Sequence, residues 1–179
     1  MEYRRAKISG GTYFFTIVTY ERMQILCNSE NITALRAAFD HVKNQYPFSI
    51  DAVVILPDHV HCILTLPDGD SDYPLRLRLI KSFFSKRCKD LKSPSTPSRD
   101  HKREKSIWQR RYWEHAILDD KNFKRHVEYI HYNPVKHGLA DAPKDWEYSS
   151  FHSYVRNGIY DREWGAGGGI VFEKGMGVE

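Results

Sequence analysis

DAVVILPDHVHCILTL, residues 51–66, decides the fold. Asp51 to Leu56 and His59 to Leu66 are β-branched and apolar runs, and Pro57-Asp58 between them forces a turn. The stretch therefore predicts an antiparallel hairpin. Toward the N-terminus, Gly11 to Tyr20 (GTYFFTIVTY) predicts a buried strand from its aromatic and β-branched content. Asn31 to Gln45 carries Leu35, Ala38, Phe39 and Val42 at helical spacing, and Pro47 stops it. Toward the C-terminus, Pro74 to Leu91 reads as an amphipathic helix with Leu75, Leu79 and Phe83 on its apolar side. Tyr112 to Leu118 predicts a fourth strand, and Lys121 to Asn133 a further helix. The order β-α-β-β-α-β predicts an α+β, ferredoxin-like fold: an antiparallel four-stranded sheet with helices on one face, plus an additional C-terminal helix.

The chain has 179 residues, the size of one domain, and 41% hydrophobic residues suffice for a core. Residues 1–164 are expected to form that domain, with 93–106 (SPSTPSRDHKREKS) a mobile basic loop and 165–179 a poorly ordered Gly-rich tail. SSFHSYV, after Trp146, is expected to cover the sheet's edge. The charged start lacks the pattern of a signal peptide, and no apolar run approaches the roughly 20 residues needed to span a bilayer. Three widely spaced cysteines, Cys27, Cys62 and Cys88, argue against a disulfide framework or a cysteine zinc site. A cytoplasmic protein without membrane contact is expected.

Positive charge is concentrated. Between Arg76 and Arg111 thirteen Lys or Arg face only Asp90, Asp100 and Glu104, while the rest of the chain is net negative. Such a run is often a solvated helix face and loop. Phe83, Phe84, Trp108, Tyr112 and Trp113 among the charges favour a polyanion with unpaired bases, which cations hold and rings stack on.

His59 and His61 are two apart on a strand and so point to one side of the sheet, where both can bind one metal ion. Val60 and Cys62 point into the core. On the following helix, Phe123, Val127 and Ile130 form the packing stripe, and Tyr129 and Asn133, one turn apart, project together from its flank. A metal held by the histidines is within reach of both, with the Asn133 amide oxygen as third ligand. The helix is expected to end at Asn133, since residues before proline avoid helical torsions. The same residues also read as hydrogen-bonded surface histidines, an interfacial tyrosine and a helix terminator. If they act together, the chemistry is specific: a phenol with pKa near 10 serves where a covalent intermediate must be kept, as in DNA phosphodiester cleavage. Nitrogen and oxygen ligands with an open position suit Mg²⁺ or Mn²⁺. Of the neighbours of Tyr129, the helical wheel favours His126 over Glu128 as a base; a bound hydroxide or the DNA itself could also serve.

The motifs resemble a known family. His59-Val60-His61 is a His-hydrophobic-His (HUH) signature, and HVEYIHYNPVKHGL (residues 126–139) is similar to the tyrosine segment of single-tyrosine HUH transposases. With Tyr3-Arg4-Arg5, GGTYFFT (10–16), ILPDHVHCILTLP (55–67), IWQRRYWEHAI (107–117) and WEYSSF (146–151), nearly the whole chain resembles the REP-associated tyrosine transposases. The resemblance implies a nuclease that binds single-stranded DNA hairpins of repetitive extragenic palindromes and cuts and rejoins strands through a 5′-phosphotyrosine. It assigns the nucleophile to Tyr129 and the metal to His59, His61 and Asn133. It also implies that Tyr3, Arg4 and Arg5 read a tetranucleotide at the hairpin foot. Charge alone points to Lys81, Lys86, Arg87, Arg110 and Arg111 as phosphate contacts. The expected state is monomer or homodimer. The alternative from another class is a non-catalytic module that holds single-stranded nucleic acid on an RRM-like sheet.

Overall fold

In the computed structural model, which describes residues 7–88, 107–173 and 175–177, the strands are β1 (Thr12–Val18), β2 (Ser49–Ile55), β3 (His59–Thr65) and β4 (Trp113–Ile117). They form one antiparallel sheet in the order β2-β3-β1-β4, the ferredoxin-like arrangement. The helices α1 (Ser29–Gln45) and α2 (Tyr73–Arg87) pack together on one face. Helix α3 (Asp120–Lys136) packs on the other, so the sheet is the middle layer of three.

Side-chain alternation follows from the pleat. Tyr13, Phe15 and Ile17 of β1 and Val60, Cys62 and Leu64 of β3 meet α1 and α2 in one core. Phe14 and Ile63 join Ala52, Val54, Leu56, Val127, Tyr129 and Ile130 in the second. His59 and His61 share the second face and are buried there, not exposed to solvent. Two of the aromatics expected among the basic charges, Phe84 and Trp108, are core residues of the first layer and offer no ring to a base.

Each of the three long helices starts one or two residues before its predicted position because a polar side chain caps it. Asn28, Asp72 and Asp119 accept from the amides of Asn31, Leu75 and Asn122. The α2 helix is described to Arg87; the rest of its predicted span and the basic loop 93–106 lie outside the described residues.

The stop of α3 is a correction to the sequence reading. The helix does not end at Asn133 but runs through Pro134 to Lys136. Proline forfeits one hydrogen bond, and the last turn is closed by others. Gly138 N–H donates to Val135 O (3.0 Å) and Leu139 N–H to Pro134 O (2.8 Å), with Gly138 at φ 67°. This is a Schellman stop, and it needs the left-handed glycine. Its consequence is positional: His137 becomes the C-cap.

The segment after Trp146 covers the β2 edge, as expected. Ser149 bridges Val54, Ser150 N–H donates to Val53 O, and α4 (Phe151–Arg156) follows. Among the described residues of the Gly-rich end, Phe172 and Met176 pack against the second core.

Candidate active site

The β1–β3 register sets Thr16 opposite His61, and the Thr16 hydroxyl lies 3.0 Å from His61 Nδ1. His59 Nδ1 donates to Asp58 Oδ1 at 2.6 Å. Burial pushes the Asp58 carboxyl up, but hydrogen bonding and charge from His59, then from Arg22, more than offset this and hold it below the usual range. Asp58 is therefore an acceptor at neutral pH. With both Nδ1 atoms engaged, Nε2 is the nitrogen that each imidazole could offer to a cation. The ring centroids are 4.8 Å apart.

Helix α3 crosses this pair along one of its own faces. The Tyr129 ring meets His61 edge to face at 5.3 Å, and two turns later His137 meets His59 at 5.2 Å. Asn133 is one turn from each, on the same face. It is fully buried, and neither its amide oxygen nor its amide nitrogen has a hydrogen-bond partner. Leaving such a group unsatisfied costs about 1–3 kcal/mol, so an oxygen ligand to a cation fits this position well. Among the described residues no group of three or more His, Cys, Asp and Glu could hold a metal ion. A cation here would depend on two imidazoles and a neutral amide oxygen, a mixed set compatible with Mg²⁺ or Mn²⁺.

Tyr129 is only 1% exposed. Lys136, seven residues along the same helix, donates to the phenol oxygen at 2.9 Å, and its ammonium lies 4.9 Å from the ring centroid. The phenol donates in turn to Gly177 O at 3.3 Å, and the Phe172 ring stands edge-on at 5.3 Å. Arg125 and Glu173 pair at 2.6 Å beside them. The C-terminal segment thus helps to close the phenol from solvent. His126, the candidate base, is turned elsewhere. Its Nδ1 donates to Asn122 O, its ring stacks on His115 at 4.8 Å, and burial pulls its pKa down.

The basic candidates do not gather at this cluster. Lys81 and the exposed Lys86 and Arg87 lie on α2, across the sheet from Tyr129. Lys81 donates to Gln109 O at 2.6 Å, and the Arg87 guanidinium sits 4.5 Å over Phe83. Arg110 and Arg111 are exposed beside β4. Tyr3, Arg4 and Arg5 lie outside the described residues.

Sequence reasoning missed Asp58, Lys136 and His137 as members of the cluster. Two of these carried a signal: positions seven and eight after Tyr129 share its helical face. Asp58 was read only as a turn residue.

Residues 7–133 match the family described as "Transposase IS200 like". A REP-associated tyrosine transposase of Escherichia coli (strain K12) is 44% identical over 164 residues, covering 91% of this chain and 90% of the relative. A Haemophilus influenzae relative is 43% identical over 163 residues, covering 91% and 92%. A solved structure of a REP-associated tyrosine transposase bound to a REP hairpin superposes with a TM-score of 0.81 at 41% identity, covering 100% of this chain and 98% of the other.

Proposed function

Because the chain belongs to the IS200-like transposases, and among them to the REP-associated tyrosine transposases, we propose that it cuts and rejoins single-stranded DNA at palindromic hairpins through Tyr129. The observation that carries this reading is the edge contact of Tyr129 with His61 and of His137 with His59, which brackets Asn133 against the imidazole pair. His59, His61 and Asn133 would hold the divalent ion, Mg²⁺ or Mn²⁺. A bound ion there would draw charge from the non-bridging phosphate oxygens and align the phosphate.

The phenol oxygen of Tyr129 attacks phosphorus in line, the P–O3′ bond breaks, and the phenolic proton is balanced by the one the departing 3′-hydroxyl gains. A 5′-phosphotyrosine remains, and attack by a 3′-hydroxyl reverses the step without ATP. The Lys136 ammonium offsets negative charge on the phenol oxygen as it loses its proton. The arm Tyr3-Arg4-Arg5 would read the hairpin foot, with Arg110 and Arg111 holding phosphates. Tyr129, His59, His61 and Asn133 are all supplied by a single chain, so a monomer would carry one complete set and a homodimer two. No helix among the described residues is long and apolar enough to cross a membrane. As a protein that acts on DNA, it would work in the cytoplasm, where its substrate lies.

The alternative of an RRM-like binding sheet lacks its surface. That mode needs an open face for bases, and here β1 and β3 are covered on both sides. A labelled hairpin oligonucleotide incubated with Mn²⁺ should give a covalent adduct on a denaturing gel. Tyr129→Phe should abolish it and leave hairpin affinity within about twofold. An adduct persisting in the Phe variant would move the nucleophile elsewhere, Tyr132 being next in the sequence.

A further inference from the structure

The backbone between β1 and α1 is strained at two adjacent residues. Glu21 and Arg22 adopt φ of 50° and 56°, a left-handed conformation that side-chain-bearing residues disfavour. Such strain persists only where the surroundings hold it in place. Here the holder is the turn that precedes His59. Thr19 N–H and the Thr19 hydroxyl both donate to Asp58 O at 2.9 Å, and the same hydroxyl lies 2.8 Å from Met23 O. Leu26 N–H donates to Pro57 O on the other side of that turn. The result is to place the Arg22 guanidinium 3.2 Å from Asp58 Oδ2, while Asp58 Oδ1 accepts from His59 Nδ1.

We propose that Arg22 and Asp58 are positioning residues that form a relay, guanidinium to carboxylate to imidazole, which fixes His59 in the tautomer and orientation that present Nε2 to a divalent cation. The proposal rests on the reading of His59 as a metal ligand. The two imidazoles are not equivalent in this respect: His61 leans on a neutral hydroxyl, whereas His59 leans on a carboxylate that makes it the more basic donor. Arg22 is 38% exposed on its side chain, more than a buried core arginine requires, yet it is turned inward onto Asp58, which is 20% exposed. By holding Oδ2 it fixes which carboxylate oxygen, Oδ1, faces the ring.

The test uses the full chain and two readouts that need no cleavage. Mn²⁺ affinity is measured by the loss of the free-ion electron paramagnetic resonance signal. The His59 tautomer is read in metal-free protein by long-range ¹H–¹⁵N correlation. Asp58→Asn is expected to weaken Mn²⁺ binding by about 10- to 100-fold, the usual effect of removing such a partner. Arg22→Ala should weaken it less, with Arg22→Lys between Ala and wild type. His59 should be in the Nδ1–H form in wild type and shift toward Nε2–H in Asp58→Ala. His59→Ala separates the two ideas. If that variant binds Mn²⁺ like wild type, the metal-ligand reading fails. If it loses Mn²⁺ while Asp58→Asn and Arg22→Ala bind normally with an unchanged tautomer, the relay alone fails. Weaker hairpin binding by Arg22→Ala with Mn²⁺ affinity intact would make Arg22 a DNA contact and overturn the relay as well.

Discussion

Truncation after Gly169 is expected to speed formation of the tyrosine adduct. The deleted segment carries three contacts around Tyr129. The Phe172 edge contact with Tyr129 is worth about 0.5–1.5 kcal/mol. The hydrogen bond from the phenol to Gly177 O adds about 1 kcal/mol. The Arg125–Glu173 pair, 44% and 66% exposed on its side chains, adds less than about 1 kcal/mol. The two contacts to the phenol itself, about 1.5–2.5 kcal/mol together, must be given up before attack, and since 1.4 kcal/mol is a factor of ten, they hold attack back by at least about tenfold. Single-turnover adduct formation on a labelled hairpin with Mn²⁺, followed on denaturing gels, compares the two chains, and fluorescence anisotropy gives hairpin affinity separately. A rise of about tenfold at unchanged affinity is expected. An equal or lower rate from a truncated chain that melts like the full one would refute the claim that this segment masks the phenol.

Lys136→Met should slow adduct formation by about 10- to 100-fold, the scale of one hydrogen bond to a charged group (about 1.5–3 kcal/mol); Lys136→Arg should recover part of the rate, and the same gel assay reads both. His59→Ala should abolish cleavage and the response to added Mn²⁺ together, and full activity of that variant in chelator would remove the metal from the mechanism. His131, fully buried with Nε2 2.8 Å from Ser150 Oγ, is held neutral because burial pulls its pKa from 6.5 to about 3. Above pH 6.5 neither state binds a proton there; below it the unfolded chain does and the native one does not until about pH 3, so acidification destabilises the fold. Between pH 7.5 and pH 5 the loss from this group is about 2 kcal/mol, and denaturant melts of His131→Phe should show a correspondingly flatter pH dependence.

What was legible in the sequence is what local periodicity encodes. Alternation along 51–66 was enough for the hairpin and for the shared side of His59 and His61, and helical spacing was enough for the flank holding Tyr129 and Asn133. The α3 boundary was misread because Pro134 was weighed alone. The stop signal is the pair Pro134 and Gly138, and only their combination in a Schellman turn carries the helix on to His137.

The unread parts of the site are the ones that depend on distant segments meeting. Arg22 reaches Asp58 across 36 residues because two left-handed torsions bend the chain there, and no composition or spacing rule announces torsions of that kind on Glu21 and Arg22. Gly177 lies 48 residues from Tyr129, in a stretch whose glycines read as disorder. The same glycine content permits its placement: Gly177 sits at φ 61°, and a Cβ there would come within 2.6 Å of the Tyr129 ring. A residue chosen for lacking a side chain looks, in one dimension, like one chosen for nothing. At this position the absence of a Cβ allows the backbone carbonyl to approach the phenol. Gly177→Ala, like the truncation, should therefore loosen the cap and raise the adduct rate, while leaving His59 and His61 with their Asp58, Thr16 and His137 contacts.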